Sequence, residues 1–134
     1  MPLVSVVMSV FNGEEYVGKA IESIINQTFN DLEFIIVNDG SEDSTLDILD
    51  KYRKHDNRIK IISQENKGLT KSLNIGINNS SGKYIARQDA DDISSPHRFE
   101  VQLDWLQHSE KRVLCGTNEI LLNEENGYEY PNKF

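Results

Sequence analysis

The sequence predicts an α/β domain, a Rossmann-like parallel sheet with helices on both faces. Three observations lead there. Short β-branched apolar runs alternate with longer stretches whose apolar residues recur at helical spacing, the pattern of strand–helix–strand units joined by right-handed crossovers. Loops follow the apolar runs at Ser9 to Asn12, Asp39 to Ser41 and Asp89 to Asp92. In a parallel sheet these loops leave from the same edge, so they converge on one crevice.

Leu3 to Met8 is a β-branched apolar run suited to a strand covered on both faces. After Asn12-Gly13, Val17, Ala20, Ile21, Ile24, Ile25 and Thr28 recur at helical spacing. This predicts an amphipathic helix from about Glu14 to Gln27, with Glu14 and Glu15 in the first turn, where the dipole favours acids. Glu33 to Asn38 is the second strand. Asp43 or Ser44 can cap the next helix, whose inner face would carry Leu46, Leu49 and Tyr52. Ile59, Ile61 and Ile62 mark a third strand. Asn66-Lys67-Gly68 opens a helix bearing Leu69, Leu73 and Ile77, and Gly82 is available for its left-handed cap. Tyr84, Ile85 and Ala86 read as a short buried strand. Ser95 and Pro96 read as the cap and first position of a helix with Phe99, Leu103 and Leu106 inward and Trp105 at the margin. Val113 to Leu122 predicts a last strand, bent at Gly116-Thr117. The tail from Asn123 to Phe134 carries no clear element.

Composition bounds the function. At 134 residues, with 37% apolar and 27% charged, the chain is one domain's worth of soluble sequence. A net charge of −8 speaks against nucleic acid as a partner, because phosphate binding needs Lys/Arg surfaces. It speaks equally against tight binding to anionic lipid. No run approaches transmembrane length, and Met1-Pro2-Leu3 lacks the basic and apolar regions of a signal peptide, so a cytoplasmic location is expected. Cys115 sits in an apolar run and reads as a buried structural thiol.

The acidic run after the fourth strand is the strongest chemical signal. Asp89, Asp91 and Asp92 repel one another, so their proximity is either solvated or used. A use exists: Mg²⁺ and Mn²⁺ prefer oxygen ligands and bind phosphates alongside one or two carboxylates. Position at a strand's end, where open α/β sheets bind ligands, favours the second reading. Other chemistries lack their motifs. There is no dinucleotide fingerprint after the first strand, no P-loop and no nucleophile elbow. His55, His97 and His108 are scattered without metal-ligand spacing and read as surface histidines.

Four segments in order resemble the family 2 glycosyltransferases, inverting enzymes with the GT-A nucleotide-sugar-binding fold. VSVVMSVFNGEEYVGKAIESIINQTF is similar to the family's opening strand, turn and helix, and FIIVNDGSEDST to its second strand and acidic nucleotide-contact turn. NKGLTKSLNIGI resembles the helix before the metal motif, and GKYIARQDADDISSPHRFEVQLDWL the metal-motif segment itself. The resemblance implies a nucleotide-binding set of Ser9, Val10, Phe11, Glu14, Asp39, Lys71 and Asp89. Within it, Phe11 packs on the base, Asp39 accepts from a pyrimidine imide and Asp89 is directed at the ribose. Asp91 is the implied ligand of Mn²⁺ or Mg²⁺, and Asp92 a supporting group or a turn cap. Many relatives have Pro-x-Tyr where this chain has Ser9-Val10-Phe11, and Arg where it has Leu73. Lys71 is offered in place of that Arg, although an exposed helix lysine is the plainer reading.

The implied partners are a nucleotide-sugar donor, with UDP-sugar favoured, and a glycan or lipid-linked acceptor. Membrane contact would come only through parts outside this sequence. The family's catalytic base lies further along the chain than Phe134. Residues 1–134 therefore read as a single nucleotide-sugar-binding domain that stops before the acceptor region, with no catalytic residue assigned. The tail acids Glu119, Glu124, Glu125 and Glu129 read as solvated. Three rival readings compete with this one. One is a nucleotide-binding module that performs no transfer. A sugar-phosphate nucleotidyltransferase would need a glycine-rich basic loop where Asn12-Gly13-Glu14-Glu15 is acidic. A phosphoacceptor signalling domain would need an acceptor Asp and a late Lys that cannot both be placed.

Overall fold

The computed structural model describes residues 1–116, 120–122 and 129–131. The chain divides into two compact units, Met1–Arg98 and Phe99–Phe134. The first unit is built in the order β1 (Val4–Val10), α1 (Val17–Ile25), β2 (Leu32–Asn38), α2 (Thr45–His55), β3 (Ile59–Ser63), α3 (Leu69–Asn78) and β4 (Tyr84–Asp89). The strands form one parallel sheet in the order β3-β2-β1-β4. The path steps outward through β2 and β3, then returns across β1 to β4. With right-handed crossovers, this reversal puts α3 on the face opposite α1 and α2. The chain direction therefore switches between β1 and β4, where Ser9 pairs with Asp89.

β1 and β2 are central and nearly all buried, which is why their sequences are continuous apolar runs rather than alternating ones. Val6, Met8, Phe34, Ile35, Ile36 and Val37 are fully enclosed. β4 departs from the expected short buried strand. It runs on to Asp89 and is terminal in the strand order of the described residues, so its outward positions stay open: Ile85 is 46% exposed, and Arg87 is exposed too.

The helices correct the reading in detail. α1 begins at Val17, because the N–H groups of Tyr16 and Val17 both donate to the Gly13 carbonyl and make a turn of Gly13–Tyr16. Glu14 and Glu15 thus precede the helix. In α2 the buried positions are Thr45 and Leu49, with Tyr52 half-buried, while Leu46 is exposed. Leu49 and Tyr52 stand as expected, and Thr45 takes the place expected of Leu46, its hydroxyl accepting from the Gly13 N–H at 2.9 Å. In α3 the buried residues are Ser72 and Gly76, and Leu69 and Ile77 are exposed. That helix meets the sheet through small residues: a Cβ on Gly76 would lie 2.4 Å from Val7 Cγ1.

This gives a first expected result. Gly76→Ala improves helix propensity by about 1 kcal/mol. Val7, however, is 1% exposed and stiff at χ1, and cannot retreat. A net loss of about 1–3 kcal/mol is expected in urea denaturation, partly recovered by adding Val7→Ala. A gain in stability would contradict the close approach.

Gly82 is not in the left-handed region; among the described glycines, those with positive φ are Gly40 and Gly68. Gly82 is needed for proximity, since a Cβ there would sit 2.6 Å from the Ser5 nitrogen. Pro96 lies in the turn before α4 (Arg98–Gln107), and the Ser95 carbonyl accepts from the Arg98 N–H at 3.0 Å.

In the second unit, α4 buries Phe99 and Leu103 and leaves Trp105 44% exposed, as its periodicity predicts. Arg112 stacks its guanidinium over the Trp105 ring, 4.4 Å from the centroid. Val113–Gly116 is not a strand, and Cys115 is half-buried rather than enclosed. Among the described residues of the expected last strand, Ile120–Leu122 forms β5, paired antiparallel with β6 (Glu129–Pro131) in a tail read as having no element. Thr117, Glu119, Glu124 and Glu125 lie outside the described residues. Among the described residues, no helix is long and apolar enough to cross a membrane.

Candidate functional site

The carboxyl ends of β1 and β4 open into a cleft of about 400 Å³, lined by Ser9–Gly13, Tyr16, Leu69, Arg87 and Asp89–Asp91. Its position at the switch between β1 and β4 is the one that open α/β sheets use for ligands. Of the residues singled out in the sequence, Ser9, Val10, Phe11, Asp89 and Asp91 meet there. Phe11 offers a 52% exposed ring, and Asp91 is exposed. Glu14, Asp39 and Lys71 do not line the cleft. Tyr16, Leu69 and Arg87 do, and were not foreseen.

The loop after β1 is fixed by cross-bonds to the loop after β2. Asn12 N–H donates to Ser41 Oγ at 3.0 Å, Gly13 N–H to Thr45 Oγ1 at 2.9 Å and Glu14 N–H to Asp43 Oδ2 at 3.1 Å. In return, Asn12 Oδ1 accepts from Glu42 N–H at 2.8 Å and Glu14 Oε2 from Ser44 N–H at 2.9 Å. The start of α2 has backbone donors without intrahelical partners, and Glu14 supplies one acceptor. Its carboxylate is occupied in holding the wall of the cleft.

Asp39 does the same for α3. It is 2% exposed, and its Oδ1 accepts from Gln64 Nε2 at 2.7 Å and Lys67 N–H at 2.8 Å. Its Oδ2 accepts from Gly68 N–H at 2.9 Å. Burial alone would raise its pKa, but the donors around it hold the carboxyl below the usual aspartate value. Because Leu69 follows directly and lines the cleft, Asp39 sets where that wall stands. Lys71 is exposed on α3.

The acidic loop is pinned from behind. Gln88 points to the buried side of β4, and its Nε2 donates to the carbonyls of Asp89 at 3.0 Å and Asp92 at 2.9 Å, clamping both ends. Its Oε1 accepts from Ser94 Oγ at 2.7 Å and Arg98 Nη1 at 3.0 Å. Arg98 Nη2 also reaches the Arg87 carbonyl at 2.8 Å. Burial pulls the Arg98 pKa down, and the negative charges of Asp92 and Asp89 oppose it. On the open side of the strand, Arg87 forks onto Asp89, with Nε–Oδ1 at 2.9 Å and Nη2–Oδ2 at 3.1 Å. Among the described residues, no group of three or more His, Cys, Asp or Glu side chains is gathered to hold a metal.

The parallel sheet flanked by helices is of the GT-A glycosyltransferase type, and solved structures bear out the fold. A crystal structure of S. aureus TarS in complex with UDP-GlcNAc superposes with a TM-score of 0.74 at 24% identity, covering 89% of this chain and 33% of that one. The mannosyltransferase PcManGT from Pyrobaculum calidifontis, in complex with GDP-Man and Mn²⁺, gives 0.73 at 20% identity over 78% and 32%. Residues 5–133 match the family model described as glycosyl transferase family 2, and the chain belongs to that family. A Haemophilus influenzae protein described as an uncharacterized glycosyltransferase is 47% identical over 128 residues, 94% of this chain. The chain spans 40% of that relative's length.

Proposed function

We propose that residues 1–134 are the nucleotide-sugar-binding part of an inverting glycosyltransferase that moves a sugar from a nucleoside diphosphate donor to an acceptor hydroxyl. The observation that carries this is the convergence of Phe11, Asp89 and Asp91 on one cleft at the sheet's switch point. Phe11 packs on the base, with Ser9 and Val10 completing that wall. UDP is the favoured nucleotide. The resemblance directs Asp39 at a uracil imide; here Asp39 accepts three hydrogen bonds within the protein, and it does not line the cleft itself. The acceptor is a glycan or a lipid-linked glycan, and the reaction is cytoplasmic. Its catalytic base belongs to a part of the enzyme outside this sequence. The relatives' complexes with UDP-GlcNAc and with GDP-Man and Mn²⁺ support the donor class.

The donor set suits a hard divalent cation, Mn²⁺ or Mg²⁺: Asp91 presents an exposed carboxylate to the cleft and Asp89 a second beside it. Such a cation would neutralise the charge that the diphosphate gathers as the glycosidic bond breaks. Two carboxylates are a weak cage alone, so metal and UDP should strengthen each other's binding, by about 1–3 kcal/mol. Calorimetry with UDP, dTDP, GDP and ADP, with and without Mn²⁺, tests the reading. UDP is expected to bind more tightly than ADP. Asp91→Asn is expected to abolish the Mn²⁺-dependent part of UDP affinity, and Asp92→Asn to do much less. Equal ADP and UDP affinities would end the pyrimidine assignment. A parent indifferent to Mn²⁺ would end the metal assignment.

A further inference from the structure

Arg87 is the one cation among the described residues that line the cleft, which it shares with Asp89 and Asp91, and it is paired with Asp89. Strand geometry explains its place. Residues two apart on β4 share a face, so Arg87 and Asp89 stand together on the open side while Gln88 turns inward. The guanidinium grips Asp89 with three contacts no longer than 3.1 Å. Both side chains are nevertheless well exposed, 57% for Arg87 and 40% for Asp89. An exposed pair of that kind contributes about 0–1 kcal/mol and exchanges readily for a better partner. Arg98, the other guanidinium near the loop, is committed to Gln88, Ser94 and the Arg87 carbonyl.

We propose that Arg87 is a phosphate-binding residue held in reserve on Asp89: when a nucleoside diphosphate enters the cleft, the guanidinium moves from the carboxylate to the phosphate oxygens. This rests on the reading of the cleft as a nucleoside diphosphate site. The planar fork that now matches a carboxylate matches a phosphate equally well. The exchange has two consequences of opposite sign. Arg87 gives the diphosphate a counter-charge in a cleft that otherwise holds two carboxylates, and the same step frees Asp89 for a cation or a sugar hydroxyl. Without ligand, Arg87 competes with metal for Asp89. With ligand, it supports the phosphates.

That sign reversal makes the test specific. In the 134-residue chain, binding of UDP and of uridine is measured by calorimetry without metal, and Mn²⁺ binding by electron paramagnetic resonance without nucleotide. Arg87→Gln is expected to weaken UDP about tenfold, leave uridine within about twofold, and strengthen Mn²⁺ binding. Arg87→Lys, which keeps the charge and loses the fork, should recover part of the UDP affinity. Parallel loss of UDP, uridine and Mn²⁺ binding would mean a structural role and overturn the proposal. So would a UDP affinity unchanged in Arg87→Gln while the parent binds UDP, with the nucleotide reading left standing. A parent that binds neither UDP nor uridine, with or without Mn²⁺, would overturn that reading and this proposal with it.

Discussion

Replacing Asp39 by alanine is expected to destabilise the first unit by about 3–4 kcal/mol in urea denaturation, a large part of a small domain's total. Three donors would lose their acceptor: Gln64 Nε2, Lys67 N–H and Gly68 N–H. With Asp39 at 2% exposure, little water can reach the gap to replace it. Asp39→Asn keeps the shape and one carbonyl oxygen, so about half the loss is expected. The folded carboxyl is held below its ordinary pKa. Its contribution is therefore fully present above the unfolded aspartate pKa and disappears as pH falls through the folded one. Nucleotide affinity should fall with stability, because Leu69 rides on the segment that Asp39 anchors. An alanine variant as stable as its parent would show that the three bonds contribute nothing net.

The order and type of the first seven elements were legible because hydrophobic burial wrote them plainly. β1 and β2 are covered on both faces along most of their length, so their positions are selected for apolar bulk except at Ser5, Glu33 and Asn38, which serve polar contacts, and at half-buried Ser9, which lines the cleft. What the sequence concealed were surfaces that pack through absence. The inner face of α3 was read from Leu69, Leu73 and Ile77, yet the helix touches the sheet through Ser72 and Gly76. A stripe of small residues has no hydrophobic signature, although it brings backbones closest. β4 misled in the opposite way: Tyr84-Ile85-Ala86 looks enclosed, but only one side of that strand is covered.

The site shows a similar division. Ser9, Val10, Phe11, Asp89 and Asp91 follow from strand-end logic alone, since a loop leaving the carboxyl edge beside the switch point can go nowhere else. Asp39 and Glu14 sit in equivalent loops and drew the same reading. The backbone donors around the starts of α2 and α3 claim their carboxylates. Any acid near a helix start faces that competition, and a motif does not reveal who wins. Arg87 is not among the residues that the acidic motif implies. Its spacing of two from Asp89 in a strand was the available signal.

Glu33 is expected to govern the acid limit of stability, far from the cleft. It stands near the start of β2 with its side chain 6% exposed, at the opposite edge of the sheet. Oε1 accepts from Ser5 Oγ at 2.6 Å, Ser81 N–H at 2.7 Å and Ser81 Oγ at 2.8 Å; Oε2 accepts from Lys60 Nζ at 2.6 Å. Ser5 Oγ in turn accepts from Gly82 N–H at 2.8 Å, so one carboxylate ties β1, β2, β3 and the turn before β4. Burial acts to raise its pKa, but Lys60, Ser5 and Ser81 together outweigh that and hold it at about 2 against an ordinary 4.5. The folded value is depressed, so the stabilisation is present above the unfolded pKa and is lost as pH falls toward the folded one. Over that window it amounts to about 3 kcal/mol. Glu33→Gln turns an amide NH₂ toward Lys60 or toward the serines, setting donor against donor. A loss of about 2–3 kcal/mol is expected near neutral pH, narrowing steadily below about pH 4 as the parent's own carboxylate protonates. Lys60 is largely exposed, so Lys60→Met should lose less, about 1 kcal/mol. Denaturant titrations of the three proteins at several pH values measure both the size and the slope. A gap between parent and Glu33→Gln that stays constant down to about pH 2 would mean that the carboxylate charge is not what holds this edge of the sheet together.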